Sequence, residues 1–181
     1  MKVTDTNIAD VKIIEPTVFG DERGYFMETW SQEKFDKLIC SRKFVQDNHS
    51  KSSKGILRGL HYQTVNTQGK LVRVIHGEVY DVAVDLRQSS SSFGCWVGVY
   101  LSAENKKQLW IPEGFAHGFY VTSESAEFVY KCTDYYNPQC EQSIIWNDQD
   151  LDIKWPIDEY SYPLLSEKDK CVKSFKEAIH F

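Results

Sequence analysis

The sequence predicts a mainly β fold, a sandwich or barrel of short strands with few helices. Three observations lead there. Six short segments read as strands. Glycine and proline punctuate them at turn positions. Only one stretch has firm helical spacing, and many short strands with little helix pack as two sheets or as one closed sheet.

In chain order the helix comes first. Ser31 suits an N-cap, and Phe35, Leu38 and Ile39 fall on one face at helical spacing. Residues 71–75 then alternate in part. Over residues 79–86, Tyr80, Val82, Val84 and Leu86 form one apolar face, while Val79, Asp81, Ala83 and Asp85 form a mixed one. A mixed face suggests a barrel with a partly polar interior, which can hold a ligand. Further strands are expected at 96–101, 108–111, 118–121 and 126–132, with turns at Gly77-Glu78 and Pro112-Glu113-Gly114. The serine run after Gln88 reads as a loop. Residues 173–179 carry a second, weaker helical pattern.

Composition narrows the function classes. A chain of 181 residues suits a single domain, here 1–181. The net charge is -5, without the basic surplus of a nucleic-acid binder. No apolar run is long enough to span a membrane, and the polar N-terminus lacks a secretory pattern, so a cytoplasmic location is expected. The five cysteines (Cys40, Cys95, Cys132, Cys140 and Cys171) are odd in number and include no C-x-x-C pair. They read as inert thiols rather than a disulfide framework or zinc ribbon.

The densest polar stretches are Gln46-Asp47-Asn48-His49-Ser50 and Leu57-Arg58-Gly59-Leu60-His61-Tyr62-Gln63. On a regular strand Arg58 and His61 would face opposite ways, but Gly59 permits a bulge between them. Spacing alone leaves His61 open between a structural and a functional histidine. Pro112-Glu113-Gly114-Phe115-Ala116-His117 is more specific. Its P-x-G-x-x-H pattern resembles the second motif of the cupin superfamily of small jelly-roll barrels. Cupins that bind metal add an H-x-H pair. Here His61-Tyr62-Gln63 stands at that place, so no metal is expected. A metal-free pocket works with side chains. A neutral imidazole suits proton abstraction beside a ketone. Lys70 could face the enolate oxygen, and Tyr130 could return a proton from the other side. Each has a plain alternative, Lys70 as a solvated strand end and Tyr130 as core.

Several longer motifs then occur together and in order. They include Asp21-Glu22-Arg23-Gly24, the two polar stretches above, Gly69-Lys70-Leu71-Val72-Arg73, residues 77–85, the Pro112 to Phe119 turn, Tyr130-Lys131 with Tyr135-Tyr136, and Leu165-Ser166-Glu167-Lys168-Asp169. From about Val11 to Asp169 the chain resembles the dTDP-4-dehydrorhamnose 3,5-epimerase family. The resemblance implies a cupin-type jelly-roll barrel with a few short helices, no cofactor, and a homodimer whose sites share residues across the interface. It implies inversion at C3 and C5 of dTDP-4-keto-6-deoxy-D-glucose, giving dTDP-4-keto-L-rhamnose. His61 resembles the base, Asp169 the carboxylate behind it, Lys70 the group beside the enolate oxygen and Tyr130 the acid. Arg23, Arg58 and His117 resemble substrate contacts, the arginines suited to the diphosphate. Glu28, Gln46 and Asn48 resemble nucleotide contacts, and Tyr136 and Phe26 aromatic walls. The alternatives are a single-centre epimerase (C3 or C5) on a related dTDP-4-keto-6-deoxysugar, a metal-dependent cupin oxygenase, and a non-catalytic sugar-nucleotide binding module. The tail after Asp169 and His76 receive no role.

Overall fold

Both faces of the strand Glu78–Asp85 are apolar enough to demand cover, and the architecture follows from that. Val79, Ala83 and the buried carboxylates Asp81 and Asp85 lie on one face, and Val82 and Val84 on the other, all at 0% exposure. A strand buried on both sides needs a layer above and below it.

The computed structural model describes residues 1–158, 160–170 and 172–181, so Cys171 lies outside the described residues. In chain order the strands are β1 (Lys2–Asp5), β2 (Lys12–Glu15), β3 (Val18–Asp21), β4 (Gly24–Met27), β5 (Gln46–Ser53), β6 (Leu57–Gln63) and β7 (Lys70–His76). They continue as β8 (Glu78–Asp85), β9 (Trp96–Ser102), β10 (Gln108–Ile111), β11 (Phe115–Val121), β12 (Ser125–Cys132) and β13 (Glu141–Ser143). Helix α1 spans Gln32–Leu38 and α2 spans Glu167–Lys170.

Two antiparallel sheets face each other as a jelly roll. One has the order β1-β2-β10-β7-β12-β5 and the other β13-β6-β11-β8-β9. Val72, Val74, Val79, Ala83, Leu109, Phe119 and Phe128 fill the space between them. The outer face of the second sheet stays apolar through Leu60, Tyr62, Val82, Val84 and Leu86. Ile144, Leu151, Ile153 and the late aromatics Phe175 and Phe181 cover it. On the outer face of the first sheet, α1 sets Phe35 against Trp110, with ring centroids 5.1 Å apart. Burying one such side chain contributes about 1.5–3 kcal/mol. The hairpin β3–β4 stands apart as its own two-stranded sheet.

The six expected strands all form, most of them a residue or more longer than their apolar patterns. Two helical expectations need correction. Ser31 does cap α1, accepting from the Lys34 amide at 3.4 Å, and Phe35 is buried, but Leu38 is 47% exposed. The aromatic cluster of Phe35, Trp30, Phe44 and Trp110 uses a narrow stripe of this short helix, and Leu38 lies beyond it. Residues 173–179 form no α-helix. They hold a single 3₁₀ turn, Phe175–Glu177, closed by a capping box between Ser174 and Glu177.

Asp85 anchors the loop after β8. Its carboxylate accepts from Arg87 Nε at 2.8 Å, Arg87 Nη2 at 2.7 Å, and the hydroxyls of Ser90 and Ser92, each at 2.7 Å. Burial pushes the carboxyl up, but these bonds outweigh it and hold its pKa at about 2. A carboxylate whose pKa is depressed on folding stabilises above its unfolded pKa, and that stability is lost as pH falls through the folded value. From pH 5 to pH 2, the stability gap between the parent and Asp85→Asn should therefore shrink by about 2 kcal/mol. Urea denaturation at the two pH values reads this directly. A gap independent of pH would show that the Asp85 charge is not what holds the loop.

Candidate active site

The site begins with an irregularity in β6. Opposite it on β11, His117 pairs with His61 and Phe119 with Arg58, so β6 carries one residue more over this interval. Gly59, at φ 127°, takes up the extra residue. A Cβ there would meet Gly118 Cα at 2.5 Å and the His117 carbonyl oxygen at 2.8 Å. The bulge undoes the strand alternation, and Arg58 and His61 line one cleft of about 550 Å³.

The opposite wall comes from far along the chain. Leu164 forms a bridge with Ile56, and Lys173 forms one with Ile144, so the strap that carries α2 is anchored on both sides of that helix. Between these anchors α2 delivers Asp169, which is 3% exposed. Asp169 Oδ1 lies 2.5 Å from His61 Nε2. The Ser166 hydroxyl donates to Asp169 Oδ2 at 2.8 Å, and the Asp169 amide donates back to Ser166 Oγ at 3.2 Å. Burial raises the Asp169 carboxyl, but the bonds from His61 and Ser166 and the nearby Lys168 charge together hold it below its ordinary value. The carboxylate therefore stays ionised against the imidazole. Such contact fixes the ring and stabilises its protonated form.

Tyr130, on β12, lines the same cleft. Burial first, then the neighbouring Cys132 and Glu141, push its hydroxyl up to about 12, so it keeps its proton at neutral pH. A small cavity of about 30 Å³ adjoins the cleft and shares His61, Tyr136 and Glu141 with it. Lys70 lines this cavity. Burial lowers the Lys70 pKa against the pull of Cys132, Asp81 and Glu141. A poorly hydrated ammonium interacts strongly with an oxyanion. Tyr136 stands at the cleft wall, and its hydroxyl donates to Glu141 Oε2 at 2.7 Å.

The other expected residues are distributed unevenly. Gln46 accepts from the Tyr136 amide at 2.9 Å and donates to Asn48 Oδ1 at 3.0 Å. Asn48 faces a second cleft, of about 410 Å³, which Tyr130 also lines. His117 does not line the main cleft. It is buried one strand inward, with Nε2 at 2.9 Å from Asp81 Oδ2, and burial lowers its pKa. Arg23, Phe26 and Glu28 line neither cavity that contains His61. Arg23 pairs with Asp21 at the tip of the β3–β4 hairpin, Phe26 is 70% exposed, and Glu28 pairs with Lys34 at 2.7 Å. Among the described residues, no group of three or more His, Cys, Asp or Glu side chains could hold a metal ion.

Sequence reasoning passed over Asp81, Glu141, Ser166 and Lys168 as site residues. Asp81 left a signal, a charge inside the most apolar strand. Lys168 lies inside the Leu165–Asp169 motif, but its partner Glu141 left no signal, because the two meet only through the strap.

A sequence model of the family described as dTDP-4-dehydrorhamnose 3,5-epimerase matches residues 5–177. The protein of that name from Neisseria gonorrhoeae is 60% identical over 178 residues, which span 98% of this chain and 54% of the relative. The one from Shigella flexneri is 57% identical over 183 residues, spanning 100% and 99%. The chain thus spans about half the length of the first relative and nearly all of the second. A crystal structure of dTDP-6-deoxy-D-glucose-3,5-epimerase from Legionella pneumophila, in complex with dTDP-4-keto-L-rhamnose, superposes with a TM-score of 0.95. Its identity is 54%, over 98% of this chain and 94% of that one.

The bulge generates a prediction of its own. Gly59→Ala combines an unfavourable φ with a backbone clash, and should lower stability by about 2 kcal/mol or more. Urea denaturation measures it. An alanine variant as stable as the parent would mean that the strand has another way to bring Arg58 beside His61.

Proposed function

The chain belongs to the dTDP-4-dehydrorhamnose 3,5-epimerase family, and from that membership we propose that it inverts C3 and C5 of dTDP-4-keto-6-deoxy-D-glucose, giving dTDP-4-keto-L-rhamnose. The family is one of isomerases. The observation that carries the reading for this chain is one cleft with an imidazole–carboxylate pair and a protonated phenol on its walls.

The mechanism follows from those groups. His61 takes the proton next to the 4-keto group, and Asp169 stabilises the imidazolium that forms. Lys70 faces the developing enolate oxygen and offsets its charge. Tyr130 returns a proton from the opposite face, which inverts the centre, and the same cycle serves the second carbon. Arg58 and Arg23 hold the diphosphate. Glu28, Gln46 and Asn48 hold the nucleotide, Tyr136 and Phe26 wall the base or sugar, and His117 forms part of the polar floor behind the sugar. The transfers use side chains alone, without metal or cofactor.

The working unit is a homodimer formed by the single cupin-like domain 1–181. What supports this is the β3–β4 hairpin. It carries Arg23 and Phe26 away from the chain's own cleft and exposes Phe19, Tyr25 and Phe26 together. A partner's cleft would receive them. The location is cytoplasmic. Cys40, Cys95, Cys132 and Cys140 are free thiols, as a reducing compartment allows. No described helix is long and apolar enough to cross a membrane.

NMR of the substrate in deuterated water tests the reading. The parent should place deuterium at both C3 and C5, and chelator should leave the rate unchanged. His61→Asn should abolish both wash-in and inversion, a loss of about 10⁴-fold or more for a sole base. Tyr130→Phe should keep exchange with retained configuration while inversion falls sharply. Equal losses of both in Tyr130→Phe would remove Tyr130 from the acid role. In a separate titration, Arg58→Ala should weaken dTDP binding roughly 10–100-fold, the scale of one charge-assisted contact.

A further inference from the structure

Two adjacent residues of α2 reach two neighbouring strands. Asp169 meets His61 on β6, and Lys168 meets Glu141 on β13, which pairs with β6 through Glu141 and Gln63. The Lys168 ammonium donates to Glu141 Oε2, the same oxygen that accepts the Tyr136 hydroxyl at 2.7 Å. The Glu141 side chain is 13% exposed and that of Lys168 52%. The carboxylate therefore sits inside the site, and its cation sits at the rim.

Glu141 lines both cavities that contain His61. Its charge acts on Lys70, on Tyr130 and on His61. That location is hostile to the proposed chemistry. A bare carboxylate beside a forming enolate opposes it, since like charges at short range disfavour each other. It also sits where it would draw the Lys70 ammonium away from the enolate oxygen. Lys168 and the Tyr136 hydroxyl occupy the carboxylate and leave Lys70 free for that oxygen.

We propose that Glu141 and Lys168 are positioning residues of the epimerase site. Their ion pair holds the strap so that Asp169 stays on His61, fixes Tyr136 as a wall, and cancels a carboxylate charge that would otherwise oppose the enolate. The inference rests on the epimerase reading of the site.

The test compares Lys168→Met, Glu141→Gln, the double variant and Lys168→Arg, by deuterium wash-in and by separate kcat and KM. Lys168→Met leaves the carboxylate charge uncancelled, with only the neutral Tyr136 hydroxyl on it, so kcat should fall roughly 10–100-fold, the scale of one charge-assisted contact, with a smaller change in KM. The double variant removes the charge as well and should be at least about tenfold faster than Lys168→Met, because coupled groups are not additive. Lys168→Arg should retain most of the rate. A tether with no electrostatic part predicts the opposite order, with the double variant no faster than Lys168→Met, and that result overturns the proposal. A parent that exchanges no proton would refute the epimerase reading itself, which keeps the two failures apart.

Discussion

The five-stranded sheet is apolar on both sides, and water cannot be left on either. One side closes against the other sheet. The other side has no third sheet to meet, so the segment from Ile144 onward folds back over Leu60, Val82, Val84 and Leu86. Burial of that outer face drives the return, through dispersion and loss of water contact rather than through any directed bond. Backbone bonds then fix the register of the returning segment. Leu57 N donates to the Leu164 carbonyl at 3.1 Å, and Ile145 N donates to the Lys173 carbonyl at 2.9 Å. The His61–Asp169 pair depends on this return, since its carboxylate sits on the covering segment and its imidazole on the covered sheet.

The site is also a study in keeping carboxylates occupied. Asp169 has His61 and Ser166, Asp81 has His117, and Glu141 has Tyr136 and Lys168. A reaction that passes through an anion needs its cations available and its own anions satisfied. The protein has three acidic side chains at or behind the His61 cleft, and each is bound to a named donor. Lys70 alone among the cations there makes no hydrogen bond with a described residue. That availability suits a group meant for a transient oxyanion.

Legibility in the sequence tracked the range of the interaction. The β8 alternation and the P-x-G-x-x-H turn are local, and both could be read. The mixed face of β8 did turn inward, carrying Asp81 to His117. The bulge at Gly59 was legible as a possibility, because a glycine inside a strand, between Arg58 and His61, is itself a signal. Helix α2 was not legible: four residues, Glu-Lys-Asp-Lys, hold no apolar period, and tertiary contacts alone make them helical. The outward turn of Leu38 was equally hidden, since a single-turn stripe is narrower than the i, i+3, i+4 pattern suggests. The hairpin β3–β4 has no alternation to read, because both of its faces are exposed.

The distance between His61 and Asp169 along the chain is 108 residues. During synthesis, every strand of both sheets emerges before the segment that carries Asp169. The strands can pair before it arrives, but the outer face of the five-stranded sheet stays uncovered until it does. With β13 already on β6, Ser143 lies opposite His61, and only the chain from there to Asp169 has freedom left to lose. One docking event therefore covers the apolar outer face of the sheet and sets Asp169 against His61 together.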